Sequence, residues 1–244
     1  MSDSNPYSSS QTAHFSSHEV VARRVSIEPI DLYKRSLALM GDQYLLFLGI
    51  TLAGVFVGSI VPMGILMGPM MVGIYMCFAD RERGKTVEFG TLFKGFDQFV
   101  SSFIAMLIMI GLTLLVMIPL MIMMFIAMIL VLPSNGGGNQ GSFMAIPLIL
   151  GFYLMLFIAV FLIQLPFLFA FQLIADRGLT GPQAVGLSFR GVQKNLGGCI
   201  FLAILMGFFS MLASAACIIP AFFLMPISMG VLFLAYRDIF GKVA

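Results

Sequence analysis

The stretch from Asp80 to Phe99, DRERGKTVEFGTLFKGFDQF, holds eight charged residues among its twenty, whereas the sequence on either side of it is almost wholly apolar. The flanking apolar runs are too long and too unbroken for the core of a water-soluble domain, since about 20 apolar residues suffice to cross a bilayer. The charged stretch is therefore predicted to be an aqueous loop between membrane-spanning segments.

The composition of the whole chain is strongly apolar. Hydrophobic residues make up 60% of the 244 residues and charged residues 10%, against about 25% charged residues in typical soluble domains. The net charge of +2 is small and the bases are interleaved with acids, so a nucleic-acid partner is not expected. The three cysteines lack metal-ligand spacing and both histidines fall near the N-terminus, so the sequence predicts no metal, cofactor or catalytic site.

Three stretches of the chain are amphipathic, with apolar residues at helical spacing on one face and charged residues on the other. They begin near Ile30, Phe89 and Val185, and a long apolar run follows each of them. A helix of this kind ahead of a membrane-spanning segment is predicted to lie in the plane of the lipid headgroups. The alternative is that each stretch simply extends the next helix into the cytoplasm.

A proline followed by a charged pair recurs after each amphipathic stretch. The spacing is ten to twelve residues in each case, and the three sets are Pro69 with Asp80-Arg81, Pro166 with Asp176-Arg177, and Pro226 with Arg237-Asp238. The pattern predicts three repeats, residues 28–83, 84–178 and 179–242, each an interfacial helix followed by a transmembrane hairpin. The expected fold is an all-α, polytopic membrane helix bundle of six transmembrane helices.

Six apolar segments form the predicted spans: residues 43–61, 62–79, 100–132, 143–175, 196–219 and 220–236. The third and fourth would each make about 50 Å of helix, against a hydrocarbon core of about 30 Å. They are expected to tilt, to bend near Pro119 and Pro147, or to project beyond the far surface. A re-entrant arrangement with eight segments is the alternative.

All thirteen Lys and Arg residues fall in four stretches that six spans would place on one side of the membrane: residues 1–42, 80–97, 176–194 and 237–242. The turns on the other side carry no charge. The positive-inside rule predicts that both termini are cytoplasmic, with the chain in a bacterial inner membrane. Residues 1–27, rich in serine, are predicted to be a disordered cytoplasmic tail ahead of a six-helix domain at 28–242.

Two sets of residues are candidate functional positions. Cations of the charged loops are candidate contacts for anionic lipid headgroups, unless they form ion pairs that anchor the helix ends: Arg81, Arg83, Lys85, Lys94, Arg177, Arg190 and Lys194. The prolines and one glutamine are candidate helix breaks or cavity-lining positions: Pro69, Gln164, Pro166 and Pro226. The predicted spans contain no Asp, Glu, His, Lys or Arg, which argues against an ion-coupled pump.

Four short motifs carry a resemblance to known membrane proteins: Glu82-Arg83-Gly84-Lys85, Leu92-Phe93-Lys94-Gly95-Phe96, residues 187–195, and Ala235-Tyr236-Arg237-Asp238. The chain resembles uncharacterised bacterial inner-membrane families and the integral-membrane domain of some glycerophosphodiester phosphodiesterases. Catalysis in those enzymes belongs to a separate soluble barrel, so the resemblance implies a membrane module without the enzyme.

The expected function is a non-enzymatic scaffold, partner-binding or envelope-associated module. Its expected partners are the lipid bilayer, including anionic lipids, and another membrane or cytoplasmic protein. The alternative is a channel or carrier for a neutral or hydrophobic solute, which the repeated prolines favour because broken helices can line a cavity.

Overall fold

The computed structural model describes residues 22–60, 65–134, 139–216 and 218–242. Within these residues every regular element is a helix, which confirms the predicted all-α class. Residues 1–21 of the predicted tail, residues 61–64 and 135–138 of two predicted turns, and Cys217 lie outside the described residues.

The described part of the chain forms nine α-helices: α1 (Pro29–Met40), α2 (Tyr44–Ile60), α3 (Met67–Glu82), α4 (Phe99–Ser134), α5 (Asn139–Gln164), α6 (Ala170–Arg177), α7 (Gly181–Lys194), α8 (Leu196–Ala216) and α9 (Ile218–Phe240). A 3₁₀ segment at Phe89–Gln98 precedes α4, and short 3₁₀ turns at Gly41–Gln43 and Leu165–Phe167 follow α1 and α5. Thr180 and Gln183 form a capping box that starts α7.

Five helical stretches among the described residues are long and apolar enough to cross a membrane: Pro29–Ile60, Phe89–Ile129, Ile149–Arg177, Leu196–Ala215 and Ile219–Phe240. Their length and composition indicate an integral membrane protein. Helix α3, which occupies the predicted second span, has only 16 residues, about 24 Å of helix. Its last turn carries Asp80, Arg81 and Glu82, so the apolar part is shorter still.

The helical run is interrupted at Pro166, whereas the helices continue through Pro119 and Pro147. Helix α4 runs for 36 residues through Pro119, and α5 runs for 26 residues through Pro147. Proline removes a backbone N–H and clashes with the preceding turn. After the break at Pro166, one backbone N–H finds its hydrogen-bond acceptor on another helix: the Phe169 N–H donates to Ser188 Oγ of α7 at 3.1 Å.

The best-buried part of the protein lies toward the charged ends of the helices. Phe78 of α3, Leu173 of α6 and Phe233 of α9 are each at most 1% exposed. Away from these charged ends, α4, α5 and α8 expose many large apolar side chains, such as Phe125 and Phe157, which are 65% and 68% exposed. Exposed apolar surface on this scale suits lipid rather than water.

Each amphipathic segment packs against a helix that contains or follows one of the three prolines. The 3₁₀ segment lies on α3, α7 lies on α6, and α1 lies on α9. Small residues make two of these contacts close: Gly95 faces Gly73 and the Pro69 carbonyl, and Ser36 donates from Oγ to the Ile227 carbonyl at 2.9 Å. The amphipathic segments are therefore part of the folded core.

Candidate functional site

Charged residues at the ends of α3, α6 and α9 meet in one cluster. Arg237 of α9 donates from Nη1 and Nη2 to the two carboxylate oxygens of Asp176 on α6, at 2.6 and 2.9 Å. The Arg237 Nε lies 2.6 Å from Glu82 Oε2 on α3. The side chains of Arg237 and Asp176 are only 4% and 1% exposed. We call these residues, together with Arg83, Arg177 and Tyr236, the charge cluster.

Both carboxylate oxygens of Asp176 are occupied. Tyr236 donates its hydroxyl to Oδ2 at 2.8 Å, and Arg83 Nη2 lies 3.4 Å from Oδ1. With the two bonds from Arg237, the carboxylate accepts from three side chains. A carboxylate bound in this way by charged donors is a structural anchor rather than a free general base.

The surroundings of Arg237 and Tyr236 complete the charge cluster. The guanidinium carbon of Arg237 lies 4.9 Å from the ring centre of Phe233, a favourable cation–π distance. Arg177 donates from Nε to the Tyr236 hydroxyl at 3.2 Å and from Nη2 to the Phe240 carbonyl at 2.8 Å. The end of α6 is therefore tied to the end of α9 by charged and aromatic groups together.

Two further arginines tie α1 to the same end of the molecule. Arg35 of α1 donates both terminal nitrogens to the carboxylate of Asp238 on α9, at 2.9 and 3.0 Å. Arg81 of α3 donates from Nε to the Leu39 carbonyl at 3.0 Å and pairs with Asp42 just after α1. Helix α1 is thereby joined to both α9 and α3.

The seven cations predicted to contact anionic lipids fall into two groups. The members of the first group each reach an acidic side chain or a backbone carbonyl of this chain: Arg81, Arg83, Lys85 and Arg177. The members of the second group are exposed, and no carboxylate of the described residues lies within ion-pair distance of them: Lys94, Arg190 and Lys194. Of these three, Lys194 donates to a backbone carbonyl, that of Ala22. The second group therefore carries positive charge that no acid of the described residues pairs with.

The predicted break or cavity positions lie on α3, at the α5–α6 break and on α9. The carbonyls at and just after two of the prolines, Pro69 and Pro226, face the amphipathic segments described above. Gln164, beside Pro166, is exposed and lines a cavity of about 280 Å³ between α5 and α8. The other walls of this cavity are apolar and include Phe161, Leu168 and Ala203.

A feature that sequence reasoning missed is an N-terminal strap, residues 22–27, which belongs to the predicted tail. The Val25 N–H donates to Asn195 Oδ1 at 2.8 Å, and Asn195 Nδ2 donates to the Arg23 carbonyl at 2.8 Å. The strap therefore lies against the junction of α7 and α8. Extended residues held by hydrogen bonds to distant parts of the chain have no periodicity, so pattern rules do not find them.

The charged end of the protein is held together by ion pairs and hydrogen bonds. No group of three or more His, Cys, Asp or Glu side chains among the described residues could hold a metal ion. Cys77 and Cys199 are buried free thiols, and both histidines lie outside the described residues. Comparison with known protein families, curated proteins and solved structures finds no match to this chain.

Proposed function

We propose that the protein is a non-enzymatic module of the cytoplasmic membrane that acts as a scaffold or binds another protein. The observation that carries this proposal is the charge cluster, in which Arg237 joins Asp176 and Glu82 at 2.6 to 2.9 Å. Acidic groups that acid–base or metal chemistry would need are used there to join three helices. The resemblance to a phosphodiesterase membrane domain supports the same function, because the chemistry of that family belongs to another domain.

The proposal includes six membrane crossings arranged as three units. The 3₁₀ segment and α7 each pack on the helix of the preceding unit that contains or follows its proline, and α1 packs on α9, an arrangement that favours a closed ring of units. Helix α3 is then the sixth crossing. Six crossings bring all thirteen Lys and Arg to one side of the membrane, whereas five would divide them between the two sides.

The proposed partner surface lies on two of the amphipathic segments, the 3₁₀ segment and α7. Lys94 on the 3₁₀ segment and Arg190 on α7 lie next to phenylalanines that are 44% to 45% exposed: Phe89, Phe93 and Phe189. Aromatic and arginine side chains are enriched where proteins bind each other. On the positive-inside rule this surface faces the cytoplasm.

Photo-crosslinking in cells tests the scaffold role. A photoreactive amino acid in place of Lys94 or Arg190 should give discrete protein adducts. The same amino acid in place of Phe157, which is 68% exposed on a long apolar helix, should give lipid adducts. Lipid adducts alone at all three positions would overturn the scaffold role.

An enzyme assay tests the absence of catalysis. Purified, metal-replete protein should hydrolyse neither phospholipids nor glycerophosphodiesters above background. Hydrolysis that a substitution in the charged loops abolishes, for example Arg83→Gln, would contradict the proposal.

A second candidate function is transport of a neutral or hydrophobic solute, favoured by the break at Pro166 and the cavity beside it. Gln164 supplies an amide in an otherwise apolar cavity of about 280 Å³. A carrier predicts flux into proteoliposomes above that of empty vesicles, reduced by Gln164→Leu. Tyr153→Phe is the control, because Tyr153 is exposed on α5 outside the cavity. If no tested class of solute moves faster than in empty vesicles, this candidate is lost.

A further inference from the structure

A cavity of about 430 Å³ lies between the N-terminal strap and the junction of α7 and α8. Residues 24–27 line one wall and residues 193–198 line the other. Its polar side chains include Ser26, Gln193 and two cations, Arg24 and Lys194. These walls differ from those of the cavity beside Gln164, which are mostly apolar.

The strap is held in a definite position against this junction. Asn195, which is 6% exposed, bonds to the Val25 N–H and to the Arg23 carbonyl, both at 2.8 Å. Gly198 allows Ile27 to approach, because a Cβ at position 198 would lie 2.9 Å from the Ile27 side chain. The cavity is therefore a feature of the fold rather than a gap beneath a loose tail.

The cavity carries positive charge that the described residues do not balance. The Lys194 Nζ donates to the neutral Ala22 carbonyl at 3.1 Å. No carboxylate of the described residues lies within ion-pair distance of Lys194 or Arg24. Glu28, the next acid along the chain, does not line the cavity. An anion bound here would form charge-assisted hydrogen bonds with two cations.

The cavity also lies where a candidate membrane span begins. Leu196 lines the cavity and is the first residue of α8, and Leu196–Ala215 is one of the five candidate spans. Leu196, Phe201 and Ile204 of α8 are 47% to 55% exposed. A ligand with an anionic headgroup and apolar chains would fit the cationic cavity and the exposed apolar face of α8 beside it. The cytoplasmic leaflet is rich in such anionic lipids.

We propose that this cavity binds the phosphate of an anionic phospholipid headgroup, with Arg24 and Lys194 as the charged contacts and the exposed face of α8 beside the acyl chains. The sequence pattern pointed to Lys194 as a lipid contact but to neither Arg24 nor the strap. The proposal rests on the placement of α8 across the membrane and is independent of the scaffold role.

Native mass spectrometry of the full chain in detergent tests this binding. The protein is titrated with phosphatidylglycerol and with phosphatidylcholine that has the same acyl chains, and phosphatidylglycerol should bind more tightly. Arg24→Gln and Lys194→Gln should each weaken phosphatidylglycerol binding about fivefold and leave phosphatidylcholine binding unchanged. Lys34→Gln is the matched control, because Lys34 is exposed on α1 and lies outside the cavity.

Three results would overturn the proposal. The first is an Arg24→Gln variant that binds phosphatidylglycerol as tightly as the wild type does. This variant is decisive if Lys194→Gln melts at a lower temperature than the wild type. An equal loss in Lys34→Gln would indicate general attraction to the basic surface. Displacement of the lipid by millimolar inorganic phosphate, together with phosphate binding in the absence of lipid, would assign the cavity to a free phosphate. A failure of the crosslinking test of the scaffold role would leave all these measurements unchanged.

Discussion

Arg237 owes its burial to charged partners as well as to aromatic neighbours. Asp176 and Glu82 present two carboxylates to one guanidinium, and the Phe233 ring lies 4.9 Å from it. Removing a guanidinium and two carboxylates from water is costly. Their mutual attraction offsets that cost only while all three groups are present. We infer that the charge cluster mainly specifies how α3, α6 and α9 meet.

Replacing one member of the charge cluster should therefore lower the free energy of unfolding more than replacing one member of an exposed ion pair. Asp176→Asn leaves Arg237 buried without its bidentate partner, so the free energy of unfolding should fall by about 3–5 kcal/mol. Adding Arg237→Met should recover part of that loss, because the buried guanidinium that lost its bidentate partner is then gone. Chemical unfolding in a mild detergent measures both changes.

Lys85→Gln is the control for this experiment. The Lys85 side chain is 64% exposed and lies 3.7 Å from Asp80, so its loss should change the free energy of unfolding by at most about 1 kcal/mol. Equal effects of Lys85→Gln and Asp176→Asn would mean that the charge cluster does not hold the helices together.

The sequence indicates that ion pairs can form at these residues, but it does not identify which residues pair with each other. The alternating signs after Asp80 indicate that bases and acids can pair nearby. Asp176 and Arg237 are 61 residues apart, and their pairing depends on how α6 and α9 meet. That information lies in tertiary packing, which no local pattern contains.

At the scale of elements, small residues decide how close the amphipathic segments come to their partner helices. Gly73 and Gly95 bring the backbones of α3 and the 3₁₀ segment together. The sequence predicted an amphipathic helix beginning near Phe89 but not its 3₁₀ form. Gly90 and Gly95 weaken an α-helix there, and the contact with α3 sets the local geometry.

Gly95→Ala should destabilise the protein at this contact. A Cβ at Gly95 would overlap the Pro69 carbonyl and the Gly73 backbone, and neither can move without displacing α3. Overpacking of this kind should lower the free energy of unfolding by about 1–3 kcal/mol. Gly90→Ala is the matched control in the same 3₁₀ segment, because a Cβ at Gly90 has no neighbour within 4 Å. Unfolding curves of the two variants that coincide would contradict this contact.

At the scale of the whole molecule, the charged and apolar regions occupy different ends. The all-α membrane class could be predicted because hydropathy is a sum over each segment and needs no knowledge of packing. The number of crossings could not be predicted from segment hydropathy alone. Helix α3 has 16 residues with charges in its last turn, so its role depends on the helices around it rather than on its own length.

The most direct test of the proposed six crossings is the side of the membrane on which the turns lie. In a variant with Cys77, Cys199 and Cys217 replaced by alanine, single cysteines are placed by Ser16→Cys near the N-terminus, Gly137→Cys or Lys242→Cys. Intact cells are then treated with a membrane-impermeant maleimide. Six crossings predict that Gly137→Cys is labelled from outside and that the other two are labelled only after lysis. Labelling of Ser16→Cys from the same side as Gly137→Cys, as five crossings without α3 would give, would contradict six crossings.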